Sequence, residues 1–325
     1  MHRARTTIAL LAALALAAGG AACGGDDGES EGGQGGELET VEVGTLPIAS
    51  AAPLYLGREK GFFRDEGIEV KPQLQQGGNE VVTGVQGGSF DFGYAGPIPI
   101  AIARGKGLPV QIVSATDDQG TDASKADVIT VARKDTDIRS AKDLEGATVG
   151  VNVLGGVAEV VIKASVANAG GDPSKLKLVE VPFPEMVAAL DSKRIEAGWV
   201  TEPFRLLAVQ GGARPLEDTS YQAVDPKGFE VGVYFATEEY IGENADVVDR
   251  FVRASDRAAE YAADHPEEAR KAISTYTEIP PELVSKIRLP RWDSELRQES
   301  VELQAELTKR YGIIEEVPDV DELIR

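Results

Sequence analysis

Along most of the chain, short stretches in which apolar and polar residues alternate are followed by runs with helical spacing. Val41-Glu42-Val43-Gly44-Thr45-Leu46 opens as an alternating strand and runs into Pro47 to Ala52. Pro53 then suits a first helical position, and the helix it starts is predicted to end at Gly61. Further strands are predicted at 68–74, 91–95, 110–115, 128–132, 148–151, 177–181 and 197–200. Between them fall helices at 79–86, from Pro97 onward, and at 157–169, 185–192 and 203–210. This rhythm argues for α/β domains built on parallel sheets. Beyond 229–236 the pattern becomes helical. Val247, Phe251, Ala254, Ala258 and Ala262 stand three or four apart and form one apolar stripe, which ends before Pro266. Helices near 266–276, 281–287 and 293–310 complete the chain, and no tandem repeat of solenoid period is present.

The first residues follow another pattern. Arg3 and Arg5 precede an unbroken apolar run from Ile8 to Ala18, too short to span a bilayer comfortably, so 1–22 reads as an export signal. It ends in Gly20-Ala21-Ala22 directly before Cys23, the only cysteine. These residues resemble the bacterial lipoprotein processing box, with Gly20 where Leu is usual. The resemblance implies that Cys23 is lipidated and becomes the mature N-terminus; the other reading is an ordinary signal peptide with an incidental cysteine. Residues 24–39 hold seven glycines and six acidic residues, which cannot pack a core, so 23–39 is expected to be a lipidated Cys and a flexible tether.

Composition narrows the function classes. The 325 residues allow about two domains of ordinary size. A formal net charge of −21 disfavours nucleic acid as a partner, because phosphates would be repelled. One cysteine excludes an internal disulfide and multi-cysteine zinc sites, and two histidines leave little room for histidine-based metal or catalytic arrangements. No cofactor or metal site is expected. Asp117-Asp118 and Glu238-Glu239 read as loop charge rather than acid/base pairs. His265, at a predicted helix end, reads as a surface or capping residue. Arg250, Arg253 and Arg257 recur along one helix as a solvated face beside Asp249, Asp256 and Glu260.

Four blocks carry a wider resemblance. Ala52-Pro53-Leu54-Tyr55-Leu56-Gly57-Arg58-Glu59-Lys60-Gly61-Phe62-Phe63, followed by Glu66-Gly67-Ile68-Glu69-Val70, resembles the first helix and second strand of substrate-binding proteins of the nitrate/sulfonate/taurine importer type. Val85-Gln86-Gly87-Gly88-Ser89-Phe90-Asp91-Phe92-Gly93 is similar to their next turn and strand. Ala141 to Val151 resembles the start of their second domain, and Ala188-Ala189-Leu190, Ile195-Glu196-Ala197 and Thr201-Glu202-Pro203-Phe204 its far side. The blocks cover about 41–215 in the right order, and the family includes proteins that bind pyrimidine precursors of thiamine. The resemblance implies a type II periplasmic-binding-protein fold: two α/β lobes, two crossovers and a ligand cleft between the lobes. Lobe one is expected at 40–128 plus 231–325 and lobe two at 129–230, with closure by a hinge motion. It further implies a monomeric receptor outside the cell membrane or in the periplasm, held by Cys23 and handing a small molecule to an ABC permease with its cytoplasmic ATPase.

In open α/β sheets the ligand crevice lies beyond the carboxyl ends of the strands. The loops there supply Ser50, Ala51, Tyr55, Gly96, Pro97, Thr116, Asp117, Gly155, Gly156, Val157, Phe183, Glu185 and Glu202 as candidate ligand-binding residues. Several open helices, whose N–H groups favour partial negative charge. Gly155-Gly156 either lets backbone approach a ligand or only makes a turn. Tyr55 and Phe183 either stack on a ligand or pack a core, and Trp199, inside an apolar strand, reads as core. Ser50 and Glu202 each suit a helix cap or a ligand contact. These loops contain Asp117, Asp118, Glu185 and Glu202 but no Lys or Arg, which disfavours a bare anion such as nitrate or sulfate. The expected ligand is a small nitrogen- or sulfur-containing organic molecule, taurine/sulfonate-like or pyrimidine-like. The alternative is an enzyme on the same fold, similar to thiamine-pyrimidine synthases or futalosine-pathway enzymes.

Overall fold

The computed structural model describes residues 38–325. The export signal, Cys23 and nearly all of the tether lie outside the described residues; Glu39, the tether's last residue, already begins the first strand.

Strand β1 (Glu39–Thr45) buries Val41 and Val43 and leaves Glu39 and Thr40 exposed, the alternation of a half-covered strand. Helix α1 (Ala52–Lys60) starts at Ala52-Pro53 and stops at Gly61, whose φ of +83° favours glycine; its N–H closes the last turn on Arg58 O and Gly57 O. A short α2 (Phe62–Asp65), strand β2 (Ile68–Leu74), α3 (Gly78–Gln86), β3 (Phe92–Ala95), α4 (Pro97–Gly105) and β4 (Val110–Asp118) follow. The middle of the chain supplies β5 (Val128–Ala132), β6 (Thr148–Val151), α5 (Val157–Asn168), β7 (Lys177–Glu180), α6 (Phe183–Asp191), β8 (Ala197–Thr201), α7 (Phe204–Gln210), β9 (Arg214–Leu216) and α8 (Tyr221–Val224). After β10 (Glu230–Thr237) come α9 (Glu238–Glu243), α10 (Ala245–Asp264), α11 (Pro266–Ile273), the two-residue β11 (Arg291–Trp292), α12 (Gln298–Arg310) and α13 (Val320–Leu323). The predicted stripe of α10 is its buried face: Val247, Phe251, Ala254, Ala258 and Ala262 are all covered.

The strands form two sheets, in the orders β11-β4-β10-β3-β1-β2 and β7-β6-β8-β5-β9. The expected parallel pairing holds for β1 with β2 and β3, and for β6 with β7 and β8. It fails where the chain passes between sheets. β10 runs antiparallel between β3 and β4, and β5 runs antiparallel to β8 and β9. A strand that re-enters from the other sheet arrives from the opposite end, so both sheets are mixed. The crossings are 119–127 and 225–229, each ending at a strand that joins the new sheet.

Three boundaries differ from the expectations for packing reasons. β4 runs on to Asp118 because β10 and β11 both pair with its last residues. Segment 281–286 is a 3₁₀ turn, not an α-helix. α12 begins at Gln298 rather than near Asp293, because Arg297 is held outside the helix by its N–H to Glu230 and its guanidinium to Asp118.

The C-terminal helices return to the six-stranded sheet. Phe251 of α10 stacks on Phe92 of β3 at 4.0 Å and meets Tyr234 of β10 edge-on at 5.0 Å. The two sheets approach each other at the carboxyl ends of their parallel strands, where the Ala49 N–H donates to Glu202 O at 2.9 Å.

Candidate functional site

The cavity between the two sheets is built from strand ends and helix starts. The first wall takes Leu46, Ile48 and Ser50 from the turn after β1, Gly78 and Asn79 from the start of α3, Tyr94, Gly96 and Pro99 from β3 and α4, and Val231 from β10. The facing wall takes Val128 from β5, Asn152, Val153, Gly156 and Val157 from the β6–α5 turn, Phe183 from α6, Trp199 and Thr201 from β8, and Tyr221 from α8. The cavity volume is about 60 Å³. At roughly 10–15 Å³ for each water-sized group, this holds about four to six such groups, the bulk of one small ring.

None of these lining residues carries a charge, and four are aromatic: Tyr94, Phe183, Trp199 and Tyr221. Phe183 and Trp199 lie with their rings 6.0 Å apart, and Tyr221 stands edge-on to Trp199 at 5.9 Å. Three fully buried side-chain polar atoms of the wall residues make no aligned hydrogen bond: Ser50 Oγ, Trp199 Nε1 and Thr201 Oγ1. Burying a donor or acceptor unpaired costs about 1–3 kcal/mol, so atoms left this way on a cavity wall are positioned to bond what enters it. The start of α5 adds backbone N–H groups at Gly156 and Val157, where no side-chain cap is present.

Of the candidate residues, Ser50, Gly96, Gly156, Val157 and Phe183 stand on the cavity wall. Ala51, Pro97 and Gly155 (φ +67°) are chain neighbours of wall residues without lining it themselves. The others are elsewhere. Tyr55 stacks on Tyr276 at 3.9 Å with Arg58 over its ring, and burial pushes its phenol up to about 12. Glu185 is exposed, 3.7 Å from Arg194. Glu202 is buried and accepts from Arg205 Nε at 2.7 Å; burial, opposed by that guanidinium, raises its carboxyl to about 7. Thr116 and Asp117 belong to β4 rather than to a loop, and they sit behind Tyr94: the Tyr94 hydroxyl donates to Asp117 Oδ1 at 2.9 Å.

The charge balance also differs from the loop inventory. Cations arrive from elements distant in sequence: Arg291 and Arg297 both donate to Asp118, and Arg288 donates to Ala126 O at 2.9 Å. Asp118 is thus compensated by Arg291 and Arg297, and Glu202 by Arg205, while Asp117 meets no cation; the cavity lining itself carries no charged side chain.

Sequence reasoning did not single out Tyr94, Asn79, Asn152 or Tyr221, placed Thr201 in a cleft loop without making it a candidate, and favoured core packing over ligand contact for Trp199. Trp199 does both: it is 4% exposed, packs against Phe183, and keeps its indole N–H unpartnered on the wall. The available signal was position, since Tyr94 and Thr201 stand at the carboxyl ends of β3 and β8. Among the described residues no group of three or more His, Cys, Asp or Glu is placed to hold a metal ion, and no helix is long and apolar enough to cross a membrane.

Comparison with known proteins places this geometry. The family model described as NMT1/THI5 like matches residues 49–269. The formylaminopyrimidine-binding protein of Halalkalibacterium halodurans is 29% identical over 248 residues, covering 73% of this chain and 71% of that protein. The riboflavin-binding protein of Chloroflexus aurantiacus is 26% identical over 284 residues, covering 84% and 75%. Among solved structures, the alkanesulfonate-binding protein of Xanthomonas axonopodis bound to MOPS superposes with a TM-score of 0.75 at 16% identity, covering 89% of this chain and 99% of that one. The desulfurization enzyme DSZB shares the fold at a TM-score of 0.62 and 15% identity, covering 88% and 96%. The fold is thus the two-lobed periplasmic-binding-protein fold, and it carries both binding proteins and an enzyme.

Proposed function

The chain belongs to the NMT1/THI5-like family, and from that premise we propose that it is the extracytoplasmic solute receptor of an ABC importer, taking a small neutral heteroaromatic molecule, pyrimidine-like in size, between its two lobes. The observation that carries this reading is the cavity wall: four aromatic side chains, three unpartnered neutral polar atoms and no charged side chain. Aromatic faces favour a flat apolar ring, and a few convergent polar atoms fix its orientation. A sulfonate or nitrate normally meets a cation or a dense set of donors, which this wall lacks. A cavity volume of about 60 Å³ suits one ring better than a fused flavin, which supports a ligand like the one that names the formylaminopyrimidine-binding protein.

In this reading the α5 N-terminus donates to a ring carbonyl or formyl oxygen, while Trp199 Nε1, Ser50 Oγ and Thr201 Oγ1 bond the heteroatoms around the ring. The first sheet with the C-terminal helices forms one lobe and the second sheet the other, moving about the crossings at 119–127 and 225–229. The mature protein is anchored outside the cell through a lipid on Cys23, passes its ligand to a permease driven by a cytoplasmic ATPase, and performs no chemistry on it.

Calorimetry of the mature protein with cytosine, formylaminopyrimidine, taurine, sulfate and nitrate tests the reading. The expected result is saturable one-to-one binding of a pyrimidine and none of the anions. Tight binding of an anion alone overturns the ligand class, and conversion of a bound pyrimidine overturns the receptor in favour of an enzyme.

A further inference from the structure

Behind the cavity wall lies a buried polar cluster that the ring-binding reading leaves unexplained. Asp117 is fully buried near the end of β4, and its Oδ1 accepts from the Tyr94 hydroxyl at 2.9 Å and from Thr116 Oγ1 at 2.8 Å. Its Oδ2 has no partner, and the hydroxyl of Ser50, which is 1% exposed and lines the cavity, stands beside Asp117 and Tyr94 without an aligned hydrogen bond. The meeting depends on Gly232 of β10, where the β4–β10 register shifts on either side. A Cβ at 232 would stand 2.1 Å from Asp117 Oδ1, 2.3 Å from the Tyr94 oxygen and 2.5 Å from Thr116 Oγ1, so any larger residue would break the cluster.

We propose that Asp117 is a positioning residue for ligand recognition: by accepting the hydrogen bond of the Tyr94 hydroxyl it turns the Tyr94 oxygen toward the cavity as an acceptor, so that the site selects ligands presenting an N–H or O–H donor at that point. The inference rests on the reading of this cavity as the ligand site. An ionised carboxylate accepts only, which commits both neighbouring protons to it and leaves the lone pairs of Tyr94 free for the ligand. A protonated Asp117 needs neither donor and can itself donate, so the phenol is released to rotate and the acceptor is lost. A carboxylate with no such task would be an expensive way to fill a buried space that an apolar side chain could fill.

Burial, opposed by the Thr116, Ser50 and Tyr94 hydroxyls, raises the Asp117 carboxyl to about 7, so the change falls within reach of ordinary pH. The groups that face it are Tyr94 of β3, Tyr221 of α8, Tyr234 and Glu230 of β10, and Asp127 just before β5. None of these is basic. Asp127 and Glu230, raised to about 6 and about 8, titrate nearby, and a substitution at Asp117 separates its contribution from theirs.

The test is the dissociation constant of cytosine between about pH 5.5 and 8.5, a range in which cytosine stays neutral, with formylaminopyrimidine as a second probe. For the native protein the constant is expected to rise on acidification by up to about tenfold per pH unit below the Asp117 titration. Asp117→Asn and Tyr94→Phe should each bind more weakly at high pH and lose that slope. Thr116→Val, which removes the other donor but touches no wall, should keep it with the midpoint moved upward. If Asp117→Asn does not fold, Tyr94→Phe carries the same comparison. A flat profile in the native protein, or an unchanged slope in Tyr94→Phe or Asp117→Asn, overturns the inference while leaving the ligand class standing. Failure of both probes to bind at any pH overturns the ligand class and this inference with it.

Discussion

At the scale of single residues, the site divides by what each polar atom already bonds. Trp199 is the clearest case: its ring packs among Phe183 and Tyr221 while its N–H is spent on nothing. Trp199→Phe keeps the ring and removes that donor. The expected result in a calorimetric titration is a few-fold to about tenfold weaker binding with a nearly unchanged melting temperature, since one neutral hydrogen bond contributes about 0.5–1.5 kcal/mol. Tyr55→Phe should leave binding unaltered, because Tyr55 faces Tyr276 and Arg58 away from the cavity. The two aromatics look alike in sequence, and only the structure separates the one on the cavity wall from the one beside Tyr276. A strand residue in an apolar run gives no sign of which atoms of its side chain will lack partners, and a tyrosine at a helix start gives no sign of the ring that will cover it. Ser50, Gly96, Gly156, Val157 and Phe183 were reachable because the ends of parallel strands set their positions.

Elements were legible where local pattern and long-range packing agree. The stripe of α10 is written into its spacing, and the structure buries it against α1 and the six-stranded sheet. Phe251→Ala removes a ring stacked on Phe92 and flanked by Phe63 and Tyr234, and it should destabilise the fold by about 3–5 kcal/mol in denaturant unfolding. The ends of elements were less legible. β4 outran its expected end because β10 and β11 arrive to pair with it, and that extension is what turned Thr116 and Asp117 from loop residues into the support behind Tyr94. The arginine face of α10 was foreseen, but its partners were not: Arg250 meets Glu39, Arg253 meets Glu66 and Arg257 meets Asp65, residues about 190 to 210 positions earlier. Charges so far apart in sequence cannot be matched from spacing alone.

For the molecule as a whole, two features set expectations. First, Asp117, Asp127, Glu202 and Glu230 are all buried acids with raised carboxyls, about 7, 6, 7 and 8. Their unfolded values lie near 4, so the unfolded chain binds fewer protons than the folded one between those limits. Their contribution to stability is therefore complete below about pH 4 and is lost as pH rises through 6 to 8. Opposing it, carboxyls held low by donors, such as Asp143 and Asp135, lose their contribution in acid. A melting curve recorded across pH should peak near about pH 5 and fall toward pH 8; a peak at or above pH 7 contradicts this assignment. Second, the lobes meet at the cavity mouth where Gly77 lies against Val153, and a Cβ at 77 would come within 2.1 Å of the Val153 side chain. Gly77→Val should prop the lobes apart, weakening ligand binding about tenfold or more while the melting temperature of the free protein stays within a few degrees. Equal loss of binding and stability would show that the contact serves the fold instead.

The proposed receptor holds a single-ring heterocycle in its neutral, aromatic-walled cavity. Native mass spectrometry of the freshly purified mature protein, with any retained molecule identified after denaturation, tests this most directly. The expected result is one bound neutral heteroaromatic per chain, recovered unchanged; a retained sulfonate, sulfate or nitrate, or a chemically converted product, would contradict it.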